Sequence, residues 1–237
     1  MNKVNIKKGI ECLDVEILSW NPDSQMITYK ITGTPVCQYD QHSRARVGIK
    51  FKDYKVSEKP NYVVYTQVWE TMEKDPSFKK EVIDTLQELE DLRNENDEVF
   101  SQIEMSSLNL MSRECSYVVE QNIGSLRGQM ARRLQFCEEE FIVGLHWLLR
   151  QKMIDAGIDL ANGFKPMCDV TKKCEYAKAD YLSNAFGCLF AGCGRWKSHT
   201  EFASFNQSCT TPELVKEQTG VTCTKSEYEL ELLKEEK

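Results

Sequence analysis

The sequence of 237 residues lacks any run of uncharged apolar residues close to the roughly 18 that a transmembrane helix needs. Its longest apolar run, Phe141–Leu149, contains His146 and is followed by Arg150. The segment Met1–Lys8 lacks the apolar core and the small-residue cleavage site of a secretory signal. We therefore expect an intracellular, soluble protein that works in the cytoplasm and does not bind a membrane.

The chain also has no Gly-rich loop that would cradle a phosphate and no complete set of catalytic residues. Histidine is scarce: His42 and His199 are expected in polar loops, and His146 in the apolar core. The formal net charge of −7 argues against a general coat of positive charge for nucleic acid. These absences direct attention to architecture and to local clusters of residues.

Alternating apolar and polar residues dominate the first third of the chain, between Gly9 and Trp69, with the period of half-buried strands. Val15–Ile17 and Ile27–Ile31 are two such runs, and the turn-forming Asn21–Ser24 lies between them. This pattern predicts a β-hairpin within a small antiparallel β module.

Helical spacing follows. Asp75 and Pro76 have the residue types of a helix cap and first turn. Apolar residues then recur every three or four positions over 119–148, which predicts one long helix. Gly124 and Gly128 share a face of that helix, so we expect another helix, or a second copy of the chain, to pack closely there.

The predicted fold class is α+β. We expect an antiparallel β module over 1–72, an acidic and mainly helical bundle over 73–165, and a Cys-rich helical C-terminal region over 166–237.

Cysteine is abundant, with ten residues in all. Four of those near the C-terminus form two pairs, Cys168 with Cys174 and Cys188 with Cys193. Thiolates presented in pairs suit tetrahedral zinc, so these four are candidate zinc ligands. Disulfides and plain burial are the alternatives, and reduced thiols are the default inside a cell.

Basic and aromatic residues alternate after residue 43. Positive charge beside a flat ring suits phosphates and stacked bases. The candidate nucleic-acid-binding residues are Arg44, Arg46, Lys50, Lys52 and Tyr54.

Acidic residues at helical spacing form a fourth candidate site. The stretches Glu88–Glu95 and Glu139–Trp147 resemble the paired helical motifs of all-α nucleoside triphosphate pyrophosphohydrolases. In that family, carboxylates from two helices hold Mg²⁺ against the phosphates. The resemblance implies Glu88, Asp91, Glu95 and Glu140 as magnesium ligands.

The interpretation we favour from sequence is a non-enzymatic binding or assembly protein that acts through protein–protein contacts; no cofactor is firmly indicated, with zinc possible and Mg²⁺ implied only by the enzyme alternative. The Mg²⁺-dependent pyrophosphohydrolase and a nucleic-acid-binding accessory protein that uses the N-terminal module are the alternatives. Sequence does not identify the partner.

Overall fold

The computed structural model describes residues 3–44, 48–95, 111–134, 140–164, 216 and 220–222. These residues form a mixed α/β fold, which confirms that the chain combines a sheet with helices. The strands are β1 (Asn5–Lys8), β2 (Asp14–Asn21), β3 (Met26–Pro35), β4 (Ile49–Val56), β5 (Asn61–Val64) and β6 (Glu114–Asn122). The α-helices are α1 (Val36–Ser43), α2 (Thr66–Lys74), α3 (Pro76–Glu95), α4 (Ile123–Arg133) and α5 (Glu140–Asp155).

Four strands form the main sheet in the order β2-β3-β6-β4, so β4 is an edge strand. A separate parallel pair, β1 and β5, places Asn5 opposite Asn61 and Lys8 opposite Val64. The predicted hairpin between β2 and β3 is confirmed, because the Oδ1 atom of Asn21 accepts hydrogen bonds of 3.0 Å from the N–H groups of Asp23 and Ser24.

The chain divides into two compact units. Unit 1 comprises Met1–Asp14, Lys30–Arg46 and Lys50–Val119, and unit 2 comprises Val15–Tyr29, Val47–Ile49 and Glu120–Lys237. The core of unit 1 includes Ile31, Tyr62, Val63, Met72, Cys115 and Tyr117. The core of unit 2 includes Ile27, Leu126, Met130, Phe141, Leu145, Trp147 and Met153.

The start of α3 follows the sequence prediction. The Oδ1 atom of Asp75 accepts hydrogen bonds from the N–H groups of Ser77 (3.0 Å) and Phe78 (3.1 Å). The Ser77 hydroxyl and these backbone donors favour the ionised carboxylate, so they lower the pKa of Asp75. Across the described residues, none of the helices has the length and apolar character needed to cross a membrane.

The prediction of one helix through residues 119–148 is wrong. Val119 lies in strand β6, and only the later apolar residues belong to α4 and α5. Burial along β6 alternates strictly, with Cys115, Tyr117, Val119 and Gln121 facing inward. The helical spacing began at a residue that in fact belongs to a strand, so the region 73–165 is not a purely helical bundle.

Two smaller predictions also need correction. The alternating run that ends at Trp69 forms a strand only as far as Val64, and α2 begins at Thr66. Gly124 and Gly128 are exposed on α4; an added Cβ at Gly128 would meet nothing within 4 Å in the described part of the chain. No helix therefore packs on this face within the described residues, and contact with a second copy stays a prediction.

The predicted domain boundaries also stay predictions, and the Cys-rich region 166–237 lies outside the described residues apart from 216 and 220–222.

Candidate functional site

Five aromatic side chains of unit 1 pack against one another, and we call them the aromatic cluster. Its members are Tyr39 and His42 on α1, Phe51 and Tyr54 on β4, and Tyr117 on β6. Tyr39 lies at the centre: its ring stacks on that of Tyr54, with centroids 4.2 Å apart and planes inclined by 26°. The edges of Phe51 and Tyr117 meet Tyr39 at 5.8 and 4.9 Å.

Local backbone geometry explains how these rings meet. Tyr39 and His42 are three residues apart on a helix and so lie on one face. Phe51 and Tyr54 are three apart on a strand, where regular alternation would send them to opposite faces. Between them, Asp53 has a left-handed φ of +50°, which interrupts the alternation. Both rings can therefore contact Tyr39.

The deeper part of the cluster is polar. The Tyr117 hydroxyl lies 3.1 Å from the Nδ1 atom of His42, and both side chains are buried.

Burial, with smaller effects of Cys115 and Tyr39, raises the pKa of Tyr54 to about 12. The Tyr54 hydroxyl is therefore neutral at physiological pH and is able to donate a hydrogen bond.

A buried amide lies one helical turn before His42. Gln38 is only 1% exposed, and neither its Oε1 nor its Nε2 atom has a hydrogen-bond partner among the described residues. The Thr34 hydroxyl is also fully buried and has no hydrogen-bond partner among the described residues. Unsatisfied buried polar groups cost about 1–3 kcal/mol each, so they mark places where water or a ligand completes a structure.

A second polar network in unit 1 joins three elements. The Arg113 guanidinium donates to the Glu90 carboxylate of α3, and the Tyr62 hydroxyl of β5 donates to the same carboxylate. Arg113 also donates to the backbone carbonyls of Ser57 (3.1 Å) and Lys59 (3.2 Å). All three side chains are buried, so this network ties α3 to β5 and the preceding loop and presents no open surface.

The structure places the predicted nucleic-acid-binding residues in different surroundings. Arg44 is exposed at the end of α1 but forms an ion pair of 2.7 Å with Asp40. Lys50 and Lys52 lie on the edge strand β4, and Tyr54 belongs to the aromatic cluster. Arg46 lies outside the described residues.

The predicted magnesium ligands are only partly described. Glu88, Asp91 and Glu95 lie on α3, where Asp91 accepts a hydrogen bond of 2.9 Å from Gln87. Glu140 begins α5, and its side chain is outside the description. No group of three or more His, Cys, Asp or Glu residues is placed to hold a metal ion within the described ranges. The four-residue set stays a prediction.

The four candidate zinc ligands, Cys168, Cys174, Cys188 and Cys193, also lie outside the described residues, so zinc binding there is untested.

One open groove of about 380 Å³ runs along α3, lined by Ser77, Lys80, Glu81, Asp84, Thr85 and Glu88. A single helix supplies every lining residue, so side chains from different elements do not converge on it.

No protein-family model matches the sequence, and no curated protein matches it. Solved structures do match this chain. The fold is similar to that of a nucleotide methylase. That enzyme is the UMP/dUMP methylase PolB from Streptomyces cacaoi, bound with 5-Br UMP. The TM-score is 0.53 and the sequence identity is 7%, and the match covers 65% of this chain and 92% of the methylase.

A second match is thymidylate synthase X from Helicobacter pylori with FAD and dUMP. Its TM-score is 0.44 at 11% identity, over 59% of this chain and 92% of the synthase.

The interpretation as a non-enzymatic assembly protein is wrong on this finding, because the fold is similar to that of a nucleotide methylase. The all-α alternative is wrong as well. An all-α pyrophosphohydrolase does not contain the sheet β2-β3-β6-β4. Nucleic-acid binding by the basic residues of the N-terminal module stays untested.

Sequence reasoning missed most of the aromatic cluster. His42 lies on a helix and is buried, not in a polar loop. The signal that was available is Pro35 before a stretch in which Gln38 and His42 recur at helical spacing. Tyr54 was predicted as a site residue from the alternation of basic and aromatic residues.

Proposed function

We propose that the chain is an enzyme that binds a uridine-type nucleoside monophosphate, UMP or dUMP, and modifies it. The observation that carries this proposal is the fold similarity to the UMP/dUMP methylase, which extends over 92% of that enzyme. At 7% identity the likeness concerns the fold, so the assignment of a substrate is our inference.

The chemistry of unit 1 supports the proposal. A site for a pyrimidine nucleotide needs a flat surface for the ring and polar groups that recognise its edge. The aromatic cluster supplies rings, of which Tyr54 is exposed, and its buried members His42 and Tyr117 bring polar atoms within 3.1 Å of each other. These elements are rigid helices and strands, which hold a ligand more precisely than loops do.

Binding is tested by isothermal titration of the full chain with UMP and dUMP, with AMP and ribose 5-phosphate as matched controls. AMP tests the size of the base, and ribose 5-phosphate lacks a base altogether. We expect at least tenfold tighter binding of UMP or dUMP than of either control. Equal affinity for all four ligands, or no binding of UMP and dUMP, would refute the proposal.

Modification is tested separately by mass spectrometry. The protein is incubated with dUMP or UMP and a small-molecule extract of cells, and the nucleotide mass is followed over time. We expect a product heavier by one added carbon group that heat-denatured protein does not form. Binding without any product in any extract would restrict the chain to a nucleotide-binding role.

A further inference from the structure

Tyr54 is the most exposed member of the aromatic cluster, with 39% of its surface accessible. An aromatic ring has two faces, and Tyr39 covers one face of Tyr54 at a centroid distance of 4.2 Å. Flat exposed rings of this kind are the surfaces on which nucleobases stack.

The ring is held before any ligand arrives. Tyr39 supports it from below, and Phe51 and Tyr117 in turn fix Tyr39 by edge contacts. The left-handed backbone at Asp53 sets the direction from which Tyr54 leaves the strand. A side chain that is already ordered loses little conformational entropy on binding, so its contact contributes more to affinity.

We propose that the outer face of Tyr54 stacks on the pyrimidine ring of the bound nucleotide, which makes Tyr54 the base-binding residue of the site. This inference rests on the proposed function and adds the side chain that holds the base. It also predicts that affinity depends on the base rather than on the sugar phosphate alone.

The test compares two substitutions at one position. Tyr54→Phe keeps the ring, whereas Tyr54→Leu keeps apolar cover over Tyr39 but removes the aromatic face. UMP should bind Tyr54→Phe as it binds the wild type and should bind Tyr54→Leu roughly 5- to 150-fold more weakly, the range expected for one lost base–aromatic stack. Leu18→Ala, at an apolar side chain of similar exposure (46%), is the matched control and should leave affinity unchanged.

A spectroscopic measurement reports stacking directly. In proton NMR titrations, the H5 and H6 signals of UMP should move upfield with the wild type and with Tyr54→Phe, because they enter the shielding zone of the ring. The shifts should be lost with Tyr54→Leu. Circular dichroism and the unfolding midpoint of each variant establish that it is folded.

The outcomes separate the two proposals. If the wild type binds UMP and Tyr54→Leu binds it equally well with the same proton shifts, Tyr54 is not the base-binding residue and the proposed function stands. If the wild type does not bind UMP or dUMP, the proposed function is refuted and this inference with it. Weak binding in both Tyr54→Phe and Tyr54→Leu would assign the effect to the hydroxyl and would overturn stacking.

Discussion

Replacing Gly33 by alanine should destabilise the protein strongly. Its backbone has a conformation that residues with a side chain rarely adopt, and neighbouring atoms leave no space for a Cβ. Gly33 lies near the end of β3 with a left-handed φ of +70°. An added Cβ would lie 1.8 Å from the carbonyl oxygen of Cys12 and 2.7 Å from its carbonyl carbon. Both are backbone atoms, so no rotamer change relieves the overlap.

The expected magnitude has two parts. Placing an alanine at left-handed φ costs about 1–2 kcal/mol. Forcing the backbone of Cys12 away from β3 adds a cost of the order found for overpacking, about 1–3 kcal/mol. The total of about 2–5 kcal/mol corresponds to a fall in melting temperature of roughly 4–20 °C for a chain of this size.

Gly157→Ala provides the matched control. Gly157 has nearly the same φ, +75°, but an added Cβ there would meet nothing within 4 Å in the described residues. We expect this variant to lose only the conformational part, about 1–2 kcal/mol. Urea unfolding followed by circular dichroism measures both variants against the wild type. Equal destabilisation by the two substitutions would refute the argument from the Cys12 contact.

Three further predictions concern buried groups. Glu90→Gln should cost about 3–5 kcal/mol, because it leaves the Arg113 charge buried without its counter-ion. The double variant Glu90→Leu/Arg113→Met should cost less than the single one, and additive losses in urea unfolding would contradict this coupling. Burial lowers the pKa of His146 from its ordinary 6.5 to about 4, so the folded protein keeps it neutral. The stability that the neutral His146 contributes is complete above pH 6.5. As the pH falls towards 4, the free energy of unfolding decreases by a total on the order of 3 kcal/mol. His146→Gln should therefore flatten the loss of stability between pH 7 and pH 4, and parallel curves would argue against it. Finally, burial raises the pKa of the Cys115 thiol to about 12, so at pH 8 iodoacetamide should label Cys115 far more slowly in native than in urea-unfolded protein. Peptide mapping by mass spectrometry measures both rates, and similar values would contradict the expected protection.

Local signals predicted the local parts of the fold. The hairpin between β2 and β3 was predictable because alternation and the Asn21 turn agree. The start of α3 was predictable because Asp75 caps it with its own side chain. Each of these features depends on residues within a few positions of one another, and sequence reveals such features directly.

Strand β6 was not predictable in the same way. Its alternation includes Gln121, a polar residue that is buried because Tyr29 donates a 3.0 Å hydrogen bond to its Oε1 atom. A polar side chain at an inward position breaks the apolar pattern on which the prediction depends. Val119 then happened to continue the helical spacing of Ile123 and Leu126. The partner that justifies Gln121 lies 92 positions away, so the sequence alone did not reveal it.

The aromatic cluster was missed for a similar reason. Its members come from three elements separated along the chain, α1, β4 and β6. The contact of Tyr54 with Tyr39 further depends on the left-handed conformation of Asp53, which the residue type permits but does not specify. Long-range packing and a single backbone torsion determined the site, and neither has a periodic signal.

Binding of a uridine-type nucleotide at the aromatic cluster can be seen by crystallography with a heavy-atom label on the base. Crystals of the full chain would be soaked with 5-bromo-UMP at a concentration that saturates the protein in solution, and data collected at the bromine absorption edge. We expect one strong anomalous peak beside the exposed ring of Tyr54, with the pyrimidine plane parallel to that ring. A peak at another site with none at the aromatic cluster, or no peak at all, would contradict it.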